Sequence, residues 1–302
     1  PDLHEEIILL SAHYDHLGYG GLGSLNPWRR SIHPGADDNA SGTVVLLESA
    51  RLLAERKGKL KRSVLCIAFT GEERGLVGSR HYVNNPLRPL DQCIAMINLD
   101  MVGRLQDERL TVMGVGTAKQ FEPLLDQLNA AYGFELRKVR PGAGPSDQMA
   151  FYGRQIPVLH FFTGMHGDYH RPTDTAEKLN IAGMRRIAQL VAELVEQLAN
   201  ASEAPEYVAT AGGIQIPWIG GGDRPFLGTV PDFDRQVTGY AISGVVPGGP
   251  AEKAGLRGGD VIVQFDGQSI RSLAEIETAL RKHKPGDKVR LTAQRDGQEV
   301  RV

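Results

Sequence analysis

Short apolar runs alternate with longer amphipathic segments through the first 200 residues, and this alternation narrows the possible folds more than any other feature of the chain. Ile7 to Ala12, Ser63 to Phe69, Cys93 to Leu99, Leu110 to Val115 and Ile156 to Phe162 are short and rich in β-branched residues, and read as strands. Thr43 to Arg56, Ala118 to Tyr132 and Ile181 to Leu198 repeat their apolar residues at helical spacing. In the first of these helices, Val44, Leu47, Leu52 and Leu53 are the expected core face, and Gly58 stops the segment. Strands interleaved with helices predict an α/β domain whose central sheet is largely parallel and flanked by helices. Ligands on such sheets bind beyond the carboxyl ends of the strands.

The pattern changes after Ala201. Gly212, Gly213, Gly220, Gly221 and Gly222 combine with Pro205, Pro217 and Pro225, the composition of a linker or of an irregular segment lying across the first domain. The remaining residues are β-rich and suffice for one small domain. The expected division is 1–203, a Gly/Pro-rich linker at 204–223, and a second domain at 224–302.

A formal net charge of −2 gives no electrostatic footprint for nucleic acid or an anionic surface. Apolar runs such as Val64 to Phe69 fall far short of the ~20 residues that span a bilayer. The two cysteines, Cys66 and Cys93, sit in apolar runs and read as buried free thiols; a disulfide would require their strands to be neighbours. No signal peptide is visible, and an opening at Pro1 without Met reads as a processed form, an expression product or a fragment.

Five polar segments fall at strand ends or helix starts. They are His13-Tyr14-Asp15-His16, Gly35-Ala36-Asp37-Asp38-Asn39-Ala40-Ser41-Gly42, Thr70-Gly71-Glu72-Glu73-Arg74-Gly75, Asn98-Leu99-Asp100-Met101 and Asp168-Tyr169-His170-Arg171-Pro172. Imidazole and carboxylate are the donors Zn²⁺ takes when no thiolate is offered. Two metals ~3.5–4 Å apart need a shared carboxylate and further ligands on each side, which a His/Asp/Glu/Asp/His set supplies. A ligating histidine usually has a carboxylate partner on its other nitrogen, a role open to Asp15. The Glu72-Glu73 pair offers one carboxylate to a metal and one to a proton. Each segment alone has an ordinary reading as a surface pair, a helix start or a turn; the ordered set of five does not.

These segments, with Gly71 to Ser79 in full, resemble the co-catalytic zinc aminopeptidase family, which includes glutamate carboxypeptidase and is related to glutaminyl cyclase. The resemblance covers roughly residues 5 to 200. It implies two zinc ions, one held by His13 and Asp100, the other by Glu73 and His170. It further implies that Asp38, three residues before the Ser-Gly pair, bridges both, that Glu72 is the general base, that Asp15 orients His13, and that the Asp38–Asn39 peptide is cis. The substrate implied is a peptide or protein N-terminus, and the location extracytoplasmic. Family members carry more chain before the first strand, whereas six residues precede Ile7 here, so edge strands are expected to be missing. Rival readings are a carboxypeptidase of the glutamate type on the same frame and a non-catalytic peptide-binding protein on a peptidase scaffold. The complete ligand set argues against the second, since crowded carboxylates without metal repel.

Asp147 reads equally as a substrate-pocket residue and as a helix N-cap. His160 reads as a core histidine, and His16, His33 and His166 as residues flanking ligands. Gly18 to Gly23 fits a dinucleotide fingerprint, but no amphipathic run follows to supply the helix N-terminus such a site needs.

From about residue 224 to the end, Val246 to Ile262 and Phe265 to Ile270 resemble bacterial PDZ domains. The resemblance implies that Phe226, Leu227, Gly228 and Thr229 hold the terminal carboxylate of a peptide ligand, and that a helix near Ser272 to Lys282 forms the other groove wall. The peptide would add as an extra strand. The alternative is a packing domain that binds nothing.

Overall fold

The computed structural model describes residues 3–21, 24, 26, 30–56, 58–210, 225, 227–231, 237–245, 249–271, 273–280 and 282–302. The chain divides into two compact units, Pro1–Thr210 and Ala211–Val302.

In the first unit, β1 (Ile7–His13) is followed by a short turn at Ala36–Ser41 that opens α1 (Gly42–Ala54), then by β2 (Ser63–Phe69), α2 (Val77–Asn84), β3 (Cys93–Leu99) and β4 (Arg109–Met113). After these come α3 (Phe121–Tyr132), β5 (Glu135–Val139), α4 (Gln148–Tyr152), β6 (Val158–Phe162) and α5 (Ile181–Asn200). The sheet order is β2-β1-β3-β6-β4-β5. β2, β1, β3 and β6 are parallel, while β4 runs antiparallel to β6 and parallel to β5. The sheet is therefore mostly parallel, with two reversed strands on one side. β5 was not legible as a strand because Glu135, Arg137 and Lys138 interrupt its apolar pattern.

All seven β1 residues are buried. Its leucines and isoleucines each contribute roughly 1.5–3 kcal/mol of transfer free energy, which fixes β1 as the centre of its half of the sheet. Ser11, one of two polar residues of β1, donates to Asn98 Oδ1 on β3 at 2.8 Å, so register and polar satisfaction agree. β2 lies at the sheet edge, which corrects the reading of Cys66 as buried: it is exposed. Cys93 is half-buried, both thiols are free, and β1 separates their strands.

α1 also departs from expectation. It buries Val45, Leu46, Ser49 and Leu53, while Val44 and Leu47 face outward. The helix packs between β1 and α5, and Ser49 donates to the Ala188 carbonyl of α5 at 3.2 Å. The buried stripe is thus set by two neighbours rather than by hydropathy alone. α5 starts at Asn180, whose Oδ1 accepts from the Gly183 N–H at 2.8 Å. Beyond α5, Tyr207 bridges to Ala118, and the Thr210 hydroxyl pairs with Tyr152 Oη at 2.9 Å.

The second unit contains β7 (Thr229–Pro231), β8 (Tyr240–Val245), α6 (Pro250–Lys253), β9 (Val261–Phe265), β10 (Gln268–Ser269), α7 (Leu273–Leu280), β11 (Leu291–Arg295) and β12 (Gln298–Arg301). The sheet is antiparallel, in the order β12-β11-β9-β8-β7, with β10 on β9. Ile242, Ile262, Phe265, Ile276 and Leu291 lie in its core. Asp260 is fully buried and receives both Arg295 Nε and a terminal guanidinium nitrogen at 2.7 Å, and the Arg257 N–H at 2.9 Å. Burial opposes ionisation of Asp260, but these donors outweigh it and hold the carboxyl below its usual range. A depressed carboxyl stabilises the fold above its unfolded value of ~3.9, and that stability is lost as pH falls through the folded value. Calorimetry of the whole chain should show one transition whose midpoint drops on acidification below about pH 4. Asp260→Asn should lower that transition at neutral pH and flatten its acid limb; an unaltered acid limb would remove the pair from the account.

Candidate metal centre

His13 ends β1, Glu72 and Glu73 follow β2, Asp100 follows β3, and His170 lies in the loop after β6. Parallel pairing of these four strands brings their carboxyl ends to one rim. Asp38 reaches the same rim from the turn before α1, and the Asp38–Asn39 peptide is cis.

His13 Nδ1 donates to the Asp15 carbonyl at 3.1 Å. Its Nε2 lone pair then faces Asp100 Oδ1 at 3.3 Å and Asp38 Oδ1 at 3.4 Å. On the other side, His170 Nε2 lies 3.2 Å from Asp38 Oδ2 and 3.0 Å from Glu73 Oε2. Asp38 therefore directs one oxygen toward each histidine. Donors sharing a tetrahedral zinc at ~2.0–2.1 Å stand about 3.3 Å apart. The four separations match that spacing within a few tenths of an ångström, so the nitrogen and oxygen donors on either side of Asp38 fit zinc.

The electrostatics also call for positive charge. Burial opposes protonation of His13, yet Asp100 and the other carboxylates raise its proton affinity well above that of free imidazole. His170 is likewise pushed up to about 10, Asp38 and Glu73 overcoming burial. Glu73 is held at about 2 despite burial, by His16 and His170. Each histidine is asked to carry a proton where a metal would otherwise supply the charge.

Residues 1–195 match the sequence profile of peptidase family M28. The chain belongs to peptidase family M28. Residues 225–302 match the PDZ domain. Aminopeptidase YwaD of Bacillus subtilis (strain 168) is 29% identical over 216 residues, covering 68% of this chain and 44% of that protein. A probable leucine aminopeptidase of Trichophyton verrucosum (strain HKI 0517) is 29% identical over 217 residues, covering 67% and 57%. Among solved structures, BSAP, a zinc aminopeptidase from Bacillus subtilis, superposes with a TM-score of 0.53 at 29% identity, covering 67% of this chain and 49% of that one. Porphyromonas gingivalis glutaminyl cyclase, at 23% identity and a TM-score of 0.51, shares the fold. The chain spans about half the length of the curated relatives it matches.

The M28 domain holds its acidic turn through buried groups. Asp174 Oδ2 accepts the N–H groups of Asp37 and Asp38 at 2.9 and 3.1 Å, and its Oδ1 accepts from Arg104 at 3.0 Å. Asn39 spans from the Leu99 carbonyl to the Gly42 and Met101 N–H groups. Gly42 is required there, since a Cβ would lie 2.4 Å from the Leu99 oxygen. Asp37 turns both oxygens away from the rim, toward the Gly103 N–H at 2.7 Å and His166 Nε2 at 3.0 Å.

Asp15 reaches His13 with more than its carboxylate. Its carbonyl meets His13 Nδ1 at 3.1 Å and its carboxylate stands beside the same nitrogen, with Oδ1 at 3.7 Å, while Oδ1 also accepts the Glu72 N–H at 3.2 Å. Loss of water around Glu72, reinforced by Asp100, Asp147 and Glu73 and opposed by His13, raises its proton affinity well above the usual carboxylate value. Asp147 is fully buried at the start of α4 but makes no cap hydrogen bond, and neither oxygen has a hydrogen-bond partner among the described residues. Burial pushes it up to about 7.

His160 is a core histidine, 3.2 Å from Asn98 Nδ2 and pushed down to about 4 by burial. His33 is held by Ser24 and the Ser31 carbonyl. Of the glycine-rich loop, Leu22 and Gly23 lie outside the described residues, and no helix opens among the described residues before Ala36. Sequence reasoning passed over Tyr169. Its ring stacks on His170 at 3.8 Å, and burial and the fields of Asp38, Glu73, Asp100 and Glu72 disfavour its ionisation. Its position next to the candidate donor His170 was the available signal.

In the PDZ domain, the Leu227 carbonyl accepts the Ala251 N–H at 2.8 Å and Thr229 pairs with Tyr240 Oη at 2.9 Å. Gly228 has φ +79°, the left-handed conformation glycine tolerates. Phe226 lies outside the described residues.

Proposed function

We propose that this chain is a zinc-dependent aminopeptidase with two metal positions, one formed by His13 and Asp100, the other by Glu73 and His170, with Asp38 shared. The observation that carries this is the division of Asp38, Oδ1 toward His13 and Oδ2 toward His170. Bound there, zinc would supply Lewis-acid polarisation of the scissile carbonyl and acidify the attacking water. Glu72 takes the proton of that water on its carboxylate and returns it to the departing amine; a carboxyl with raised proton affinity suits both transfers. Asp15 fixes the Glu72 backbone and, through its carbonyl, the His13 tautomer. Tyr169, kept protonated by burial and by the surrounding carboxylates, is a donor for the developing oxyanion. A substrate's free ammonium group is attracted by the carboxylates gathered at the rim, and this favours peptides with an unblocked N-terminus.

The zinc-loaded chain should hydrolyse leucine p-nitroanilide and leave its N-acetylated form intact, and chelation should abolish turnover until zinc is restored. Cleavage of the acetylated substrate, or turnover that survives chelation, would exclude the aminopeptidase reading.

The PDZ domain is assigned an extended peptide, added beside β7 with its terminal carboxylate at the Leu227–Thr229 loop. Fluorescence anisotropy with free and amidated peptide C-termini tests this; equal affinities would exclude carboxylate recognition. An extracytoplasmic site of action belongs to the same proposal, and among the described residues no helix is long and apolar enough to cross a membrane. Cell fractionation tests it.

A further inference from the structure

His16 lies outside the proposed ligand set but is packed into it. Its side chain is 8% exposed, and its Nδ1 stands 2.7 Å from Glu73 Oε1 and 3.8 Å from Asp38 Oδ2. These lengths show which kind of contact it makes. Atoms on a common tetrahedral zinc are about 3.3 Å apart; the first distance is well short of that and the second well beyond it. A separation near 2.7 Å is instead that of a charge-assisted N–H···O⁻ hydrogen bond. The carboxylate it meets is divided, since Glu73 Oε2 lies 3.0 Å from His170 Nε2.

We propose that His16 is a positioning residue for one metal position only, that of Asp38, Glu73 and His170. Its Nδ1–H donates to Glu73 Oε1 and holds the rotamer that presents Oε2 beside His170. This inference rests on the two-metal reading above. The ring has a built seat. Gly35 adopts φ +62°, and a Cβ there would fall 2.6 Å from His16 Cγ and 2.4 Å from the Asp38 carbonyl oxygen. The His170 ring closes the other side edge-on, with centroids 5.7 Å apart. Nε2 is buried and finds no hydrogen-bond partner among the described residues, so the hydrogen bonding of this ring is directed to Glu73. The His13–Asp100 side receives nothing from His16, and for that reason the effect is confined to one position.

The test is calorimetric titration of the metal-stripped full chain with Co²⁺, alongside the visible absorption of the bound ion, for wild type, His16→Ala and His16→Asn. Wild type should bind two ions. His16→Ala should weaken one event by about 10–100-fold, the range for loss of an outer-shell partner, and leave the other unchanged. His16→Asn, whose side-chain amide donates from nearly the same place as Nδ1, should recover most of the loss. Two events unchanged in His16→Ala, both weakened alike, or no rescue by Asn would overturn the inference alone. Fewer than two ions in wild type would overturn the two-metal reading and this inference with it.

Discussion

Glu72→Gln is expected to lower kcat by about 10²–10⁴-fold, the usual contribution of a positioned general base, while zinc content stays at the wild-type level. The amide keeps the shape of the side chain and the backbone N–H that Asp15 accepts at 3.2 Å, but cannot take a proton. Neighbouring Glu73 keeps its contacts to His16 and His170. A second readout separates this from damage to the fold. In the metal-free chain, Glu72 has a folded proton affinity raised above its unfolded value of ~4.3, so its ionised form opposes folding at neutral pH. Glu72→Gln should therefore raise the melting temperature of metal-free protein at pH 7 and change it little once pH falls below the unfolded value. Stability given up at a functional carboxylate is a common cost of activity. Near-normal turnover with zinc bound would remove Glu72 from the role of base.

The proposed metal centre was legible in the sequence because its candidate donors stand where β1, β2 and β3 end, and strand ends can be read from the close of an apolar run. His13, Glu73 and Asp100 each fall within a few residues of such a close. Their partners were less legible because hydrogen bonds across the fold leave no local pattern. Asp174 looks like any polar loop residue, yet it holds two backbone N–H groups of the acidic turn, 137 and 136 positions earlier in the chain. The reversed direction of β4 was hidden for a related reason: the segment between β3 and β4 carries no helix, and a crossover cannot be inferred from composition. α2 was missed because half of its residues are polar and only Ser79, Tyr82 and Val83 are buried. In α1 the periodicity was correct, but Val44 and Leu47 face outward while Leu52 and Leu53 pack on the core, since hydropathy marks which residues are apolar and not which neighbour will cover them.

Asp38→Asn should have the other large effect, on metal rather than on the proton. Asp38 is 4% exposed and lies between two histidines, so neutralising it withdraws the one carboxylate common to both proposed metal positions. An amide offers a single weak oxygen donor and directs an N–H₂ group at the other histidine. Metal affinity should fall at both positions by more than the ~100-fold that bounds outer-shell substitutions, and activity at micromolar zinc should disappear. Asp37→Asn is the matching control, because the two residues are adjacent, acidic and buried. Asp37 serves the fold, accepting from Gly103 and His166, so its amide should lower stability while two ions still bind. Metal analysis of both variants after dialysis against zinc makes the comparison directly. Two ions in Asp37→Asn and fewer in Asp38→Asn would fix the shared ligand at Asp38; the reverse would move it by one residue and with it the division of oxygens on which the two-metal reading stands.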